Sequence, residues 1–136
     1  MANCPCGREL PLKRCCGPML EGRREAPAPE ALVRSRYTAF AQANIGYLMH
    51  TCHPETLCRF NQEENYLWAR ESEWLGLEIV KVEVSAEGER ATVEFIAHLK
   101  QRGMVARHHE VSDLRKIDDR WYYFDGAPPG HEAKQA

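Results

Sequence analysis

Four cysteines near the N-terminus constrain this 136-residue chain more than any other feature. Cys4-Pro5-Cys6-Gly7 is answered, after eight intervening residues, by Cys15-Cys16-Gly17. Thiols this dense do not make an ordinary apolar core. A tetrahedral zinc ion takes four soft ligands at about 2.3 Å, and a closed ligand set marks a structural site. Cys-x-Cys lets two sulfurs converge across one turn, and the loop returns the second pair from the other side. Gly7 and Gly17 each follow a cysteine, where the chain must bend around an ion. A pair of disulfides is the competing reading. Met1 runs straight into the cysteines with no apolar leader, so a reducing, cytoplasmic setting is expected. There, clustered cysteines bind metal more often than they cross-link.

The stretch CPCGRELPLKRCCG resembles the SEC-C motif, a short zinc-binding knuckle found at the end of the secretion ATPase SecA and in many small bacterial proteins. The resemblance implies one structural Zn2+ held by Cys4, Cys6, Cys15 and Cys16. Arg8-Glu9 stands where the motif usually has Ser-Gly, and Pro11-Leu12 replaces its Lys-Tyr region; the ligand spacing is intact. A similar knuckle engages a chaperone and lipid in SecA, so a protein partner through the knuckle is the nearest analogy.

Length fits one ordinary domain plus a small appendage, and 43% hydrophobic residues suffice for a core. A formal net charge of -2 gives no general attraction to nucleic acid, and neither nucleic acid nor anionic lipid is an expected partner. Residues 21–29, charged and proline-bearing, read as a linker between a knuckle over 1–20 and a body over 30–126. The end, 127–136, reads as a disordered tail.

Glu30 to Ala43 has a helical period, with Pro29 suited to its first position and Leu32, Val33, Arg36, Tyr37 and Phe40 on one face. Arg36 inside that apolar stripe must reach solvent along its stem or meet a buried carboxylate. Asn44 caps a second short helix through Tyr47 and Leu48. Asn61 starts a third, held to the core by Tyr66, Leu67 and Trp74. From Trp74 the period changes to two. Leu77–Val84, Arg90–Gln101, Met104–Ile117 and Arg120–Asp125 read as four strands with turns at Glu87-Gly88, Arg102-Gly103 and Asp118-Asp119. Helices followed by an antiparallel meander give an α+β fold.

Three further stretches, EALVRSRYTAF, YLMHTCHP and HHEVSDLRKIDDRWYYFDG, resemble successive elements of the YchJ-like bacterial proteins. The resemblance spans nearly the whole chain and implies a nuclear-transport-factor-two-like body: a curved antiparallel sheet closing a cone over three helices. Cys52 replaces the tryptophan usual in that family, and no second Cys-x-Cys pair follows at the C-terminus.

Alternation places Thr92, Glu94, Ile96 and His98 on one strand face, and His108, Glu110 and Ser112 together on the next strand, opposite His109 and Val111. If Glu94 or Glu110 points into the cone, either could neutralise Arg36 and form, with Tyr37, a buried structural pair or pocket. The leading expectation is a zinc-binding protein-interaction module on a cone-shaped scaffold. The alternative is a small-molecule-binding or acid–base site in the cone, isomerase- or dehydratase-like, with His53, Glu94, His98, His109 and Glu110 as candidates. A second metal site at His50, Cys52, His53 and Cys58, and base stacking on Trp121, Tyr122 and Tyr123, are weaker readings.

Overall fold

The computed structural model describes residues 2–130. Its elements are α1 (Gly17–Leu20), α2 (Pro29–Ala41), α3 (Ile45–His50), α4 (Gln62–Glu71), β1 (Ser72–Val84), β2 (Arg90–Gln101), β3 (Met104–Ile117) and β4 (Arg120–Ala127). The strands form one antiparallel sheet in sequence order, β1-β2-β3-β4. Two hairpins close through two-residue turns whose residues are both left-handed: Arg102 (φ 50°) with Gly103 (φ 79°), and Asp118 (φ 49°) with Asp119 (φ 65°). Such turns match the right-handed twist of the strands they join.

Helix starts follow the capping chemistry of the sequence. Pro29 opens α2. The Asn44 side chain accepts the Tyr47 N–H at 3.1 Å to begin α3, and Asn61 accepts the Glu64 N–H at 2.9 Å to begin α4. Irregular pairing interrupts β1 between Trp74 and Gly76 and between Ile79 and Lys81, and β3–β4 after Asp113. Bulges of this kind bend and twist a sheet. The ends of β1 and β4 line a common groove. The helices fill the concave side, and α2 touches α1, α3, α4, β1, β2 and β4. The core gathers Leu32, Val33, Tyr47, Leu48, Val93, Leu114 and Trp121 around it.

Several boundaries and faces differ from the sequence reading. β1 begins at Ser72, which already pairs with Gln101. β4 runs on to Ala127, and residues 131–136 of the expected tail lie outside the described residues. Tyr66 and Leu67 are 38% and 44% exposed. α4 instead buries Ala69 and packs Trp68 on Phe40 and Trp74 at 5.2 and 5.1 Å between ring centres. The segment expected as a linker lies against the body: Ala26 joins the core, and Glu25 pairs with Arg120 at 2.7 Å. Among the described residues, no helix is long and apolar enough to cross a membrane.

Candidate metal centre and cone cavity

Cys4, Cys6, Cys15 and Cys16 are all buried, with their sulfurs within 4.8 Å of one another. The Sγ atoms of Cys6 and Cys15 are 3.5 Å apart, and those of Cys15 and Cys16 are 4.0 Å apart. A tetrahedron with metal–sulfur bonds of 2.3 Å has edges of about 3.8 Å, so the four sulfurs fit around one ion. The backbone is shaped for this convergence. Gly7 sits at φ 98°, and a Cβ at Gly17 would stand 2.7 Å from the Leu12 carbonyl oxygen. The Cys16 hydrogen bond, working against burial, lowers the Cys6 thiol to about 5. Burial pushes Cys15 up to about 11, and Cys16 is driven up by its bond to Cys6 and by burial. A divalent ion would displace the protons of those two thiols and take up the charge of the thiolates.

The knuckle is fastened to the body. Arg34, bound to Glu30 through Nε at 2.8 Å, donates from Nη1 to the Cys6 carbonyl at 2.6 Å. Thr38 Oγ1 lies 3.6 Å from Cys4 Sγ. Met19 enters the same core as Leu32 and Tyr47. Both Arg34 and Thr38 belong to α2.

The opposite side of α2 faces a cavity of about 330 Å³ inside the cone. Its walls are aromatic, including Tyr37, Phe40, Phe60, Trp68, Trp74 and Phe95. Its polar floor comes from β3 and β4. Glu110 Oε2 accepts from Ser112 Oγ at 2.8 Å and Tyr123 OH at 3.0 Å, and Glu110 Oε1 lies 2.8 Å from His108 Nε2. Burial alone would raise the Glu110 carboxyl; the hydrogen bonds from His108, Ser112 and Tyr123 outweigh it and hold it below the usual carboxylate range. Burial, reinforced by the Glu110 charge, pushes the Tyr123 hydroxyl well above its ordinary value and keeps it a donor.

Arg36 is buried, but neither candidate glutamate pairs with it directly. Its Nη1 donates to the Leu48 carbonyl at 2.8 Å and to Thr51 Oγ1 at 2.6 Å, and its guanidinium lies 4.3 Å from the centre of the Tyr123 ring. Tyr123 therefore stands between the Arg36 and Glu110 charges.

The strand register sorts the remaining candidates. Phe95 pairs with Glu110 and Ala97 with His108 on the concave face, whereas Glu94 pairs with Val111 and His98 with Arg107 on the convex one. Glu94 thus belongs to neither the cavity nor an Arg36 pair: it meets His109 at 2.7 Å on the outside. His98 faces Glu78 there at 3.6 Å. His53 is buried beside β4, its Nδ1 accepting the Glu55 N–H at 3.0 Å and its ring 5.0 Å from Phe124. Of the candidate acid–base residues, only Glu110 lines the cavity. Its partners His108, Ser112 and Tyr123 were missed as a set; the shared face of His108, Glu110 and Ser112 was the signal available. No second metal cluster forms at His50 and His53 among the described residues. Trp121 is core, with Lys116 over its ring.

A curved antiparallel sheet over three helices, with a cavity inside and a four-cysteine knuckle at its N-terminus, defines an NTF2-like body carrying a SEC-C motif. Comparison with known proteins makes this specific. The family model described as YchJ, middle NTF2-like domain, matches residues 28–126, and the chain belongs to the YchJ-like family. A UPF0225 protein of Bordetella pertussis is 42% identical over 127 residues, covering 92% of each chain. A UPF0225 protein of Geobacter sulfurreducens is 41% identical over 90% of this chain and 77% of its own. The solution structure of a SEC-C motif containing protein from Rhodopseudomonas palustris has a TM-score of 0.86 at 40% identity, covering 93% of this chain and 98% of that one. A crystal structure of a SEC-C motif containing protein from Psychrobacter arcticus gives 0.83 at 29% identity, covering 92% and 81%.

Proposed function

We propose that the protein is a zinc-stapled small-molecule-binding protein, in which the metal is structural and the cone cavity receives the ligand. The carrying observation is the cavity itself: about 330 Å³, open to solvent on one side, with aromatic walls over a fully hydrogen-bonded Glu110 floor. Ligand sites have this combination of apolar lining and a few oriented polar groups. Zinc is favoured over other ions by the all-thiolate, closed and buried donor set. Metal analysis of the purified full chain is expected to give close to one zinc per chain, and Cys4→Ser with Cys6→Ser to lose it. Binding of a naphthalene probe to the wild type, abolished by filling the cavity with Ala97→Trp, tests the ligand site. No binding to the wild type would remove that part of the reading.

A protein partner at the knuckle is a second reading, favoured by Leu10, 42% exposed, beside exposed Lys13 and Arg14. Affinity capture with wild type and Leu10→Glu tests it, and identical partner sets would rule this surface out.

A further inference from the structure

Within the cavity, His108 keeps one ring nitrogen outside the internal hydrogen bonds, on a side chain that is 40% exposed. Glu110 spends Oε2 on the Ser112 and Tyr123 hydroxyls and Oε1 on His108 Nε2. An ionised carboxylate can only accept, so His108 Nε2 must carry the hydrogen. When the ring is neutral, its lone pair then lies on Nδ1. Among the described residues, Nδ1 has no protein partner. The ring itself lines the cavity, with its centre 5.3 Å from that of Trp68 and tilted 65° to it. The residue paired with it on β2 is Ala97, which lines the cavity beside it.

The surrounding charges describe what this atom would meet. Arg36 and Arg59 balance Glu110 and Asp125 around the cavity, so with neutral His108 the lining carries no formal charge. An ion would gain little from it. A flat apolar molecule would gain the aromatic walls, and a hydroxyl on that molecule would find a well-oriented acceptor.

We propose that His108, positioned by Glu110, is the ligand-recognising base of the cavity, and that its ligand is a planar, mostly apolar molecule bearing an acidic hydroxyl of the phenol or enol class. This rests on the cavity being a ligand site. The hydroxyl donates to Nδ1. If the proton transfers, the ligand O–H bond breaks, an N–H bond forms at Nδ1, and the imidazolium is neutralised by Glu110 while the electron pair stays on the ligand oxygen. Glu110 acts through His108 and is the positioning residue.

The test uses the zinc-loaded full chain with 2-naphthol and 2-methoxynaphthalene, which differ by the hydroxyl proton. Calorimetry should show 2-naphthol bound about ten-fold more tightly, the worth of one good hydrogen bond. His108→Phe should bring the two affinities together while leaving that of the ether within about two-fold, since only the acceptor is lost. Nitrogen NMR of the free wild type should show the neutral ring of His108 protonated at Nε2. Glu110→Gln should lower the preference for 2-naphthol with His108 still present. Equal affinity of the two probes for the wild type would overturn the inference and leave the cavity as a ligand site. A neutral His108 protonated at Nδ1, or a preference unchanged in His108→Phe, would also overturn it. Failure of both probes to bind would remove the inference together with the reading beneath it.

Discussion

Gly126 shows how tightly the cavity floor is assembled. A Cβ placed there would stand 2.5 Å from Glu110 Cδ and inside contact distance of the Tyr123 hydroxyl. Both neighbours are held in a hydrogen-bonded set, so neither yields without breaking a bond. Gly126→Ala is therefore expected to destabilise by about 1–3 kcal/mol, the range for overpacking, seen in urea unfolding. Glu110 also leaves a pH signature. Its carboxyl is depressed in the folded chain, so its contribution is present above the ordinary glutamate value of about 4.3 and is lost as pH falls through the lower folded value. Glu110→Gln should flatten the acid limb of the stability curve between about pH 4.3 and the onset of acid unfolding. An acid limb as steep as that of the wild type would contradict this. At this scale the sequence was uneven. The convergence of the four cysteines could be read because their spacing is a local property. The choice of His108 over His109 could not: alternation separates them onto opposite faces, but only the packing of α2 shows which face is concave.

Among the elements, α2 is the one both sites depend on. Arg34 and Thr38 meet the knuckle, while Val33, Arg36, Tyr37 and Phe40 meet the cavity. The Thr38 hydroxyl bonds the Arg34 carbonyl at 3.2 Å and sits 3.6 Å from Cys4 Sγ, where it would orient that sulfur toward a bound metal. Thr38→Val keeps the shape and removes the hydroxyl. It should weaken zinc binding about ten-fold in competition with a chromophoric chelator, the lower end for outer-shell changes, with the fold unchanged. Affinity equal to the wild type would show that Thr38 only packs. The starts of α2, α3 and α4 were legible because proline and asparagine caps act within one turn. The buried face of α4 was not. Its sequence YLWA offers apolar residues on two adjacent faces, and Trp74 arriving from β1 selects Trp68 rather than Leu67. The same distance in sequence hides the partner of Arg36. Its stripe position announced a buried cation, but the Leu48 carbonyl, Thr51 and the Tyr123 ring lie 12 residues or more away along the chain.

Over the whole molecule, knuckle and cone are packed together rather than joined by a tether alone. The cysteines cluster with Leu12 and Leu20, and Leu20 and Met19 join that cluster to the body's core. Met19 and Ala26 pack with Leu32, Tyr47, Leu48 and Trp121, and Glu25 reaches Arg120 on β4. A charged, proline-bearing stretch reads as a linker by composition, and composition does not report that its one buried alanine meets the body. This packing has a thermodynamic consequence. Were the knuckle independent, removing the metal would loosen residues 1–20 and leave the cone's melting point alone. With the two packed together, loss of the metal removes support from α2, and the whole chain should unfold in one transition at lower temperature. For a chain of this size about 1 kcal/mol moves the midpoint by about 3–5 °C, so chelation should lower it by at least about 5 °C in calorimetry. Met19→Ala, which touches no metal ligand and leaves a core void, should lower the zinc-loaded midpoint by about 10 °C. Two separate transitions, or a cone midpoint unmoved by both treatments, would show that this packing carries no coupling between knuckle and cone.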